Sequence, residues 1–178
     1  MKKILLILSI FLFSATLGFS QKTYEIPDNG KAQVKISVPT DKWTVTNKDG
    51  LFSMVPNDTG ESSRLVTMMW AAADPTAENA IDEITDEAFK VIESLLKDIT
   101  WAEDVSDFES NGISFVANDG YGYYVNEDGT RDQMSTTIML MITDNGDILT
   151  LVFFSTGEAY DKWQDSLLDV ILSIKPTN

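Results

Sequence analysis

The 178-residue chain contains no cysteine and no histidine. Without cysteine there is no disulfide, no thiolate nucleophile and no Cys-type zinc site. Without histidine, the usual general base and the commonest metal ligand near neutral pH are both missing. Any catalysis would have to rest on Asp, Glu, Ser, Thr, Lys or Tyr. Positive charge is also scarce, with 13 Lys+Arg against 28 Asp+Glu. Such a surface repels phosphate backbones and anionic lipid heads, so binding to nucleic acid or to a membrane surface is not expected. The apolar run at the N-terminus, residues 4–13, is broken by Ser9 and is too short to span a bilayer, which needs about 20 apolar residues.

That short run has a different meaning. Lys2 and Lys3 precede it, and residues 14–20 after it are small or weakly polar, with Gly18 and Ser20 placed as a signal peptidase requires. Residues 1–20 therefore read as a cleaved signal peptide of bacterial type. With no cysteine at the cleavage site, the lipoprotein route is closed. The expected destination is the periplasm or the exterior, with no stable membrane insertion after cleavage. The remaining 158 residues carry 11 Lys+Arg and 28 Asp+Glu, a formal charge of −17. They suit one domain, held by apolar packing alone.

Residues 21–31 are polar, with Pro27, Asn29 and Gly30, and are expected to be a flexible lead-in to a domain over 32–176. Short runs over 33–38, 43–46, 51–55 and 64–71, separated by turn residues, predict strands; the first alternates and the last is apolar on both faces. The period then changes. Asp74 followed by Pro75 suits a helix start, and Ile81, Ile84, Ala88, Val91, Ile92, Leu95, Leu96 and Ile99 make one apolar stripe, predicting a helix over 75–98. Strands are predicted over 105–109, 113–117, 121–125, 133–143 and 148–154, with Asn111-Gly112 as a two-residue hairpin turn and Asn118-Asp119-Gly120 as a further turn. Ser155-Thr156-Gly157-Glu158 matches a capping box, and Tyr160, Trp163, Leu167, Val170, Ile171 and Ile174 make the stripe of a last helix. Residues 138–142 and 149–154 are apolar on both faces, so their sheet must be covered on both sides. The expected fold is α+β, a three-layer α/β/α sandwich with a mainly antiparallel sheet and two long amphipathic helices.

Ile36-Ser37-Val38-Pro39 followed by Trp43, the long mid-chain helix before Phe108-Glu109-Ser110-Asn111-Gly112, and the close from Leu149 through Trp163 to Ile174-Lys175-Pro176 form one pattern. In that pattern the chain resembles the PsbP/Mog1-like group of α/β/α sandwich domains. The resemblance implies the sandwich fold and a binding or assembly role. It supplies no catalytic residue.

Several clusters invite a chemical reading. Asp58-Thr59-Gly60 spells the aspartic-protease triplet, but that chemistry needs two carboxylates sharing a proton and no second copy exists. Asp144, Asn145 and Asp147, and likewise Asn126, Asp128 and Asp132, carry oxygens of the kind calcium takes, in spacings that miss the EF-hand loop and suit turns. Met139 and Met141 share a strand face, with Met68-Met69 as possible neighbours. Core filling accounts for them better than a thioether copper site does. Tyr121 and Tyr123 share a face beside Gly120 and Gly122, and they are the candidate ligand-binding residues. The competing reading is a strand packed under a helix, with glycine permitting close approach.

The functional expectation is an exported, non-enzymatic binding or assembly module of the bacterial envelope, with no cofactor, no metal and no catalytic residue assigned. Its partner would be a protein or a small ligand. The alternative is a carboxylate-based hydrolase acting on glycans, which would place two acidic groups about 5–10 Å apart across a cleft.

Overall fold

The computed structural model describes residues 20–58 and 64–177. But for Ser20, the expected signal peptide lies outside them, as do Thr59 and Gly60. In chain order the elements are β1 (Gln21–Ile26), β2 (Val34–Pro39), β3 (Trp43–Lys48), β4 (Leu51–Pro56), β5 (Leu65–Ala71), α1 (Ala80–Leu95), β6 (Lys97–Trp101), β7 (Ser106–Ser110), β8 (Ile113–Val125), β9 (Arg131–Thr143), β10 (Ile148–Thr156), α2 (Gly157–Leu172) and β11 (Lys175–Pro176). Two antiparallel sheets result. The larger runs β3-β4-β5-β10-β9-β8-β6, with β7 also paired to β8, and the smaller runs β1-β2-β11.

The expected three-layer α/β/α sandwich is corrected by this topology. Among the described residues the protein is mostly antiparallel sheet, in two sheets, with two helices of 16 residues each. One helix is about 10–12 Å wide, and strands lie about 4.8 Å apart, so a single helix covers two or three strands and cannot form a full layer over the large sheet. On one face, α2 shares the cover with the small sheet. Ile26, Val34, Ile36 and Val38 join Leu167, Val170 and Ile171 over Phe52, Met69, Phe115, Met141 and Leu151. On the other face, Ala88, Ile92 and Leu96 pack on Met134, Ile138 and Val152. The small sheet exists because Gln21–Ile26, within the expected lead-in, pairs with β2 along its whole length. Thr23, Tyr24 and Ile26 supply the β-branched and aromatic character that a strand favours.

Helix α1 is shorter than the stripe predicted. Asp74 does not cap it. Its Oδ1 accepts from the Thr76 backbone N–H at 3.0 Å and from the Thr76 hydroxyl at 2.6 Å, closing a local turn five residues ahead of Asn79-Ala80. At the other end Leu96 is extended and Ile99 belongs to β6, which pairs with β8. The bonds from Thr76, the side chain's first and the backbone's second, hold the Asp74 carboxyl below its ordinary value of 3.8. A folded-state value below the unfolded one gives a contribution that is present above the unfolded value and is lost as pH falls through the folded one. Thr76→Val should therefore return the Asp74 titration, followed by carbon NMR of its carboxyl, toward 3.8. An unchanged midpoint would show that the hydroxyl does not set it.

Two further boundaries differ from expectation. The cap of α2 is Thr156 rather than Ser155, with Thr156 Oγ1 accepting from the Ala159 N–H at 3.4 Å. Residues 113–125 form one 13-residue strand, with no turn at Asn118-Asp119-Gly120. The Asn111-Gly112 hairpin forms as predicted, both residues at positive φ (55° and 74°). Asn111 has a second role: its Nδ2 donates to the carbonyls of Leu172 and Ile174 at 2.8 and 2.9 Å, tying the hairpin to the end of α2.

Candidate functional site

Strand β8 displays Ile113, Phe115 and Ala117 toward α2, and alternation continues the same face through Asp119, Tyr121 and Tyr123. Its neighbours on that face are Met139, Thr137, Ser135 and Gln133 of β9, each opposite its partner in register. Helix α2 crosses only part of this surface. Where it ends its cover, a cleft of about 240 Å³ opens between Ala117, Thr137, Met139 and Phe153 of the sheet and Leu167, Leu168 and Ile171 of the helix. Tyr160 closes one side, its ring stacked on Phe153 with centroids 6.1 Å apart. The floor is buried: Ala117 and Met139 are each 7 % exposed and Leu167 3 %. At the mouth stand Asp119, Gln164 and Asp165.

The two carboxylates differ in how they are held. Asp119 Oδ1 accepts a hydrogen bond from the Thr137 hydroxyl directly across the strand pair, which fixes that side chain on the sheet. Asp165 projects from α2 on the opposite wall. Both are exposed, and neither has a basic side chain against it among the described residues.

Tyr121 and Tyr123 lie beside this cleft and do not line it. Tyr121 is 45 % exposed. It is two residues along from Asp119 on the same face, a step of about 6.7 Å at the strand rise. The Tyr123 ring is covered by the Arg131 guanidinium at 4.3 Å, and Arg131 also pairs with Asp98. The glycines beside them serve the other face. A Cβ on Gly120 would lie 2.7 Å from the Trp101 ring, and one on Gly122 would lie 3.1 Å from Ile99. They admit β6 against β8 rather than leaving room for a ligand.

The remaining sequence candidates resolve as structure. Met69, Met139 and Met141 are buried in the core. Asp128 Oδ1 accepts from the Thr130 N–H and hydroxyl at 2.9 and 2.6 Å, and Asp147 bonds with Thr143 within its own turn. Among the described residues, no group of three or more Asp or Glu is placed to hold a metal ion. Asp58 is exposed and pairs with Lys162 of α2.

The residues that sequence reasoning missed are Asp119, which read as a turn residue, and Leu168. Leu168 falls outside the α2 stripe and is 51 % exposed, so a leucine off the stripe was the available signal.

No protein-family model and no curated protein matches the chain, so the PsbP/Mog1-like resemblance gains no family match. Among solved structures, the chain is similar to LpqN of Mycobacterium tuberculosis, a protein described as involved in cell envelope biogenesis. The identity is 12 %, the match covers 89 % of this chain and 92 % of that one, and the TM-score is 0.47. Among the described residues, no helix is long and apolar enough to cross a membrane.

Proposed function

We propose that the chain is an exported, non-enzymatic binding module of the bacterial envelope whose ligand seats in the cleft between α2 and the sheet. One observation carries this reading: the cleft presents buried apolar side chains of β8, β9, β10 and α2 to an opening the protein leaves unfilled. An apolar concavity with a few polar groups at its mouth is the usual form of a small-ligand site. The signal-peptide pattern supports export, and the lack of histidine and cysteine supports a role without covalent or acid–base chemistry.

The test fills the cleft from its rim. Leu168 is half exposed, so Leu168→Trp adds bulk at the mouth without opening the core. Native mass spectrometry of protein recovered from envelope extract should show a bound small molecule on the parent and less than about a tenth of it on Leu168→Trp, a loss of about 1.4 kcal/mol or more. Tyr121→Ala/Tyr123→Ala should fold and lower occupancy less, since these rings stand beside the cleft. Equal occupancy of the parent and Leu168→Trp would remove the cleft from consideration.

The alternative of a glycan hydrolase draws on the same place, because Asp119 and Asp165 both line the cleft. A hydrolase encloses its two carboxylates in a cleft that excludes water, and both of these side chains are exposed. Release of reducing ends from envelope glycans, abolished by Asp119→Asn or Asp165→Asn, would favour that alternative over binding.

A further inference from the structure

We infer that the ligand of the cleft is a small amphiphilic amine, with an apolar body under α2 and a cationic head between Asp119 and Asp165. This rests on the cleft being a binding site and adds the chemical class of what it binds.

Three features of the site point the same way. The lining contains seven apolar side chains from Ala117 to Ile171, yet the charged groups at its mouth are both carboxylates, with no Lys or Arg among the lining residues. A negatively charged mouth with no counter-ion among the described residues repels a carboxylate or phosphate head and attracts an ammonium. The Asp119 carboxylate is positioned in advance by the Thr137 hydroxyl on one oxygen, which leaves the other oxygen for a donor from outside. Finally, the exposed ring of Tyr121 follows Asp119 on the same face, and a tyrosine face next to a carboxylate is a surface on which an ammonium gains from both. Tyr123 already shows this preference within the protein, since its ring carries the Arg131 guanidinium.

The cleft also limits size. At about 240 Å³ it falls below the usual range of about 300–1,000 Å³ for drug-sized ligands, so the body is one ring or a short branched chain.

Matched probes test the head group with the body held constant: 4-phenylbutylamine, 4-phenylbutan-1-ol and 4-phenylbutanoate, each titrated into the signal-free chain and followed by amide NMR. The amine should bind about tenfold more tightly than the alcohol, and the carboxylate more weakly than both. Exposed charge pairs and one cation–π contact together support a preference of this size. The largest shifts should fall on Ala117, Asp119, Tyr121, Met139 and Leu168. The amine preference should shrink from 25 to 250 mM salt. Asp119→Asn and Asp165→Asn should each narrow the gap between amine and alcohol about threefold, whereas Asp128→Asn, a remote turn carboxylate, should not. Melting curves on each variant confirm folding. Equal affinity for all three probes at the cleft would overturn the amine assignment and leave the binding site standing. Amine binding spread over the acidic surface, or a gap unchanged by both cleft variants, would overturn the assignment as well. Failure of all three probes to shift cleft amides would count against the assignment and the site together.

Discussion

Trp43→Ala is expected to lower the free energy of unfolding by about 4 kcal/mol, within the usual range for emptying a buried aromatic site. Trp43 is 2 % exposed, although it opens β3 at the edge of the large sheet. Its indole packs on Trp163 of α2, with ring centroids 5.3 Å apart, and its Nε1–H donates to the Ser166 hydroxyl at 3.0 Å. One side chain thus joins the sheet edge to the helix by packing and by a buried hydrogen bond. Truncation leaves a cavity and removes the donor that Ser166 faces. Trp43→Phe separates the two contributions. It keeps an aromatic ring against Trp163 and loses the hydrogen bond, so its cost should be about 1–2 kcal/mol. Urea unfolding measures both, with the slope unchanged so that the midpoint reports stability. A Trp43→Ala cost under about 1 kcal/mol would mean that α2 and β3 are held by other contacts.

Gly120→Ala is expected to be the second largest effect, a net loss of about 1–2 kcal/mol, and it decides what the glycines of β8 are for. Two opposing contributions set the sign. Alanine restricts the unfolded chain and favours folding by about 0.4–1 kcal/mol where the backbone tolerates it. Gly120 does not have a positive φ, so that gain is available. Against it, the new Cβ would lie 2.7 Å from Trp101 Cε3 and 3.0 Å from the Thr100 carbonyl oxygen. The Trp101 ring has little room to retreat, because Phe89 of α1 meets it edge-on with centroids 5.0 Å apart. Overpacking of this kind costs about 1–3 kcal/mol and wins. Hydrogen exchange should show the loss concentrated in β6 and the end of α1. A substitution that stabilised the protein would mean that β6 does not press on β8 as described.

Local signals in the chain were read where local physics acts. The Asn111-Gly112 turn formed because few residue pairs accept two successive positive φ values without strain. The apolar character of both faces of 138–142 and 149–154 required cover on both sides, and both faces are covered. The failures occurred where the same residues satisfy two periods. Ile99 fits a helical stripe and also a strand, and it sits in β6, where Gly122 of β8, some twenty residues later, leaves space for it. Asn118-Asp119-Gly120 has turn composition but runs straight through β8, since Asp119 finds its partner across the sheet in Thr137 rather than in its own backbone. Asp74 does the reverse, turning locally on Thr76.

The candidate site was the least legible part. Tyr121 and Tyr123 share a face of β8 by strand alternation, and that face runs beside the cleft without either ring lining it. The cleft itself draws on Ala117, Met139, Phe153 and Leu168, positions separated by up to 51 residues and individually ordinary as core or surface.

Composition and periodicity alone thus established a cysteine-free, histidine-free, strongly acidic chain with strand and helix stripes in a definite order, because each of these depends on residues within a few positions of one another. Pairing decided the rest. Gln21–Ile26 became a strand because β2 offered it a full partner, and this second sheet displaced the expected helical layer. The cleft opened where a helix about 10–12 Å wide stops covering a wider sheet, a mismatch of dimensions that exists only once the two are packed together.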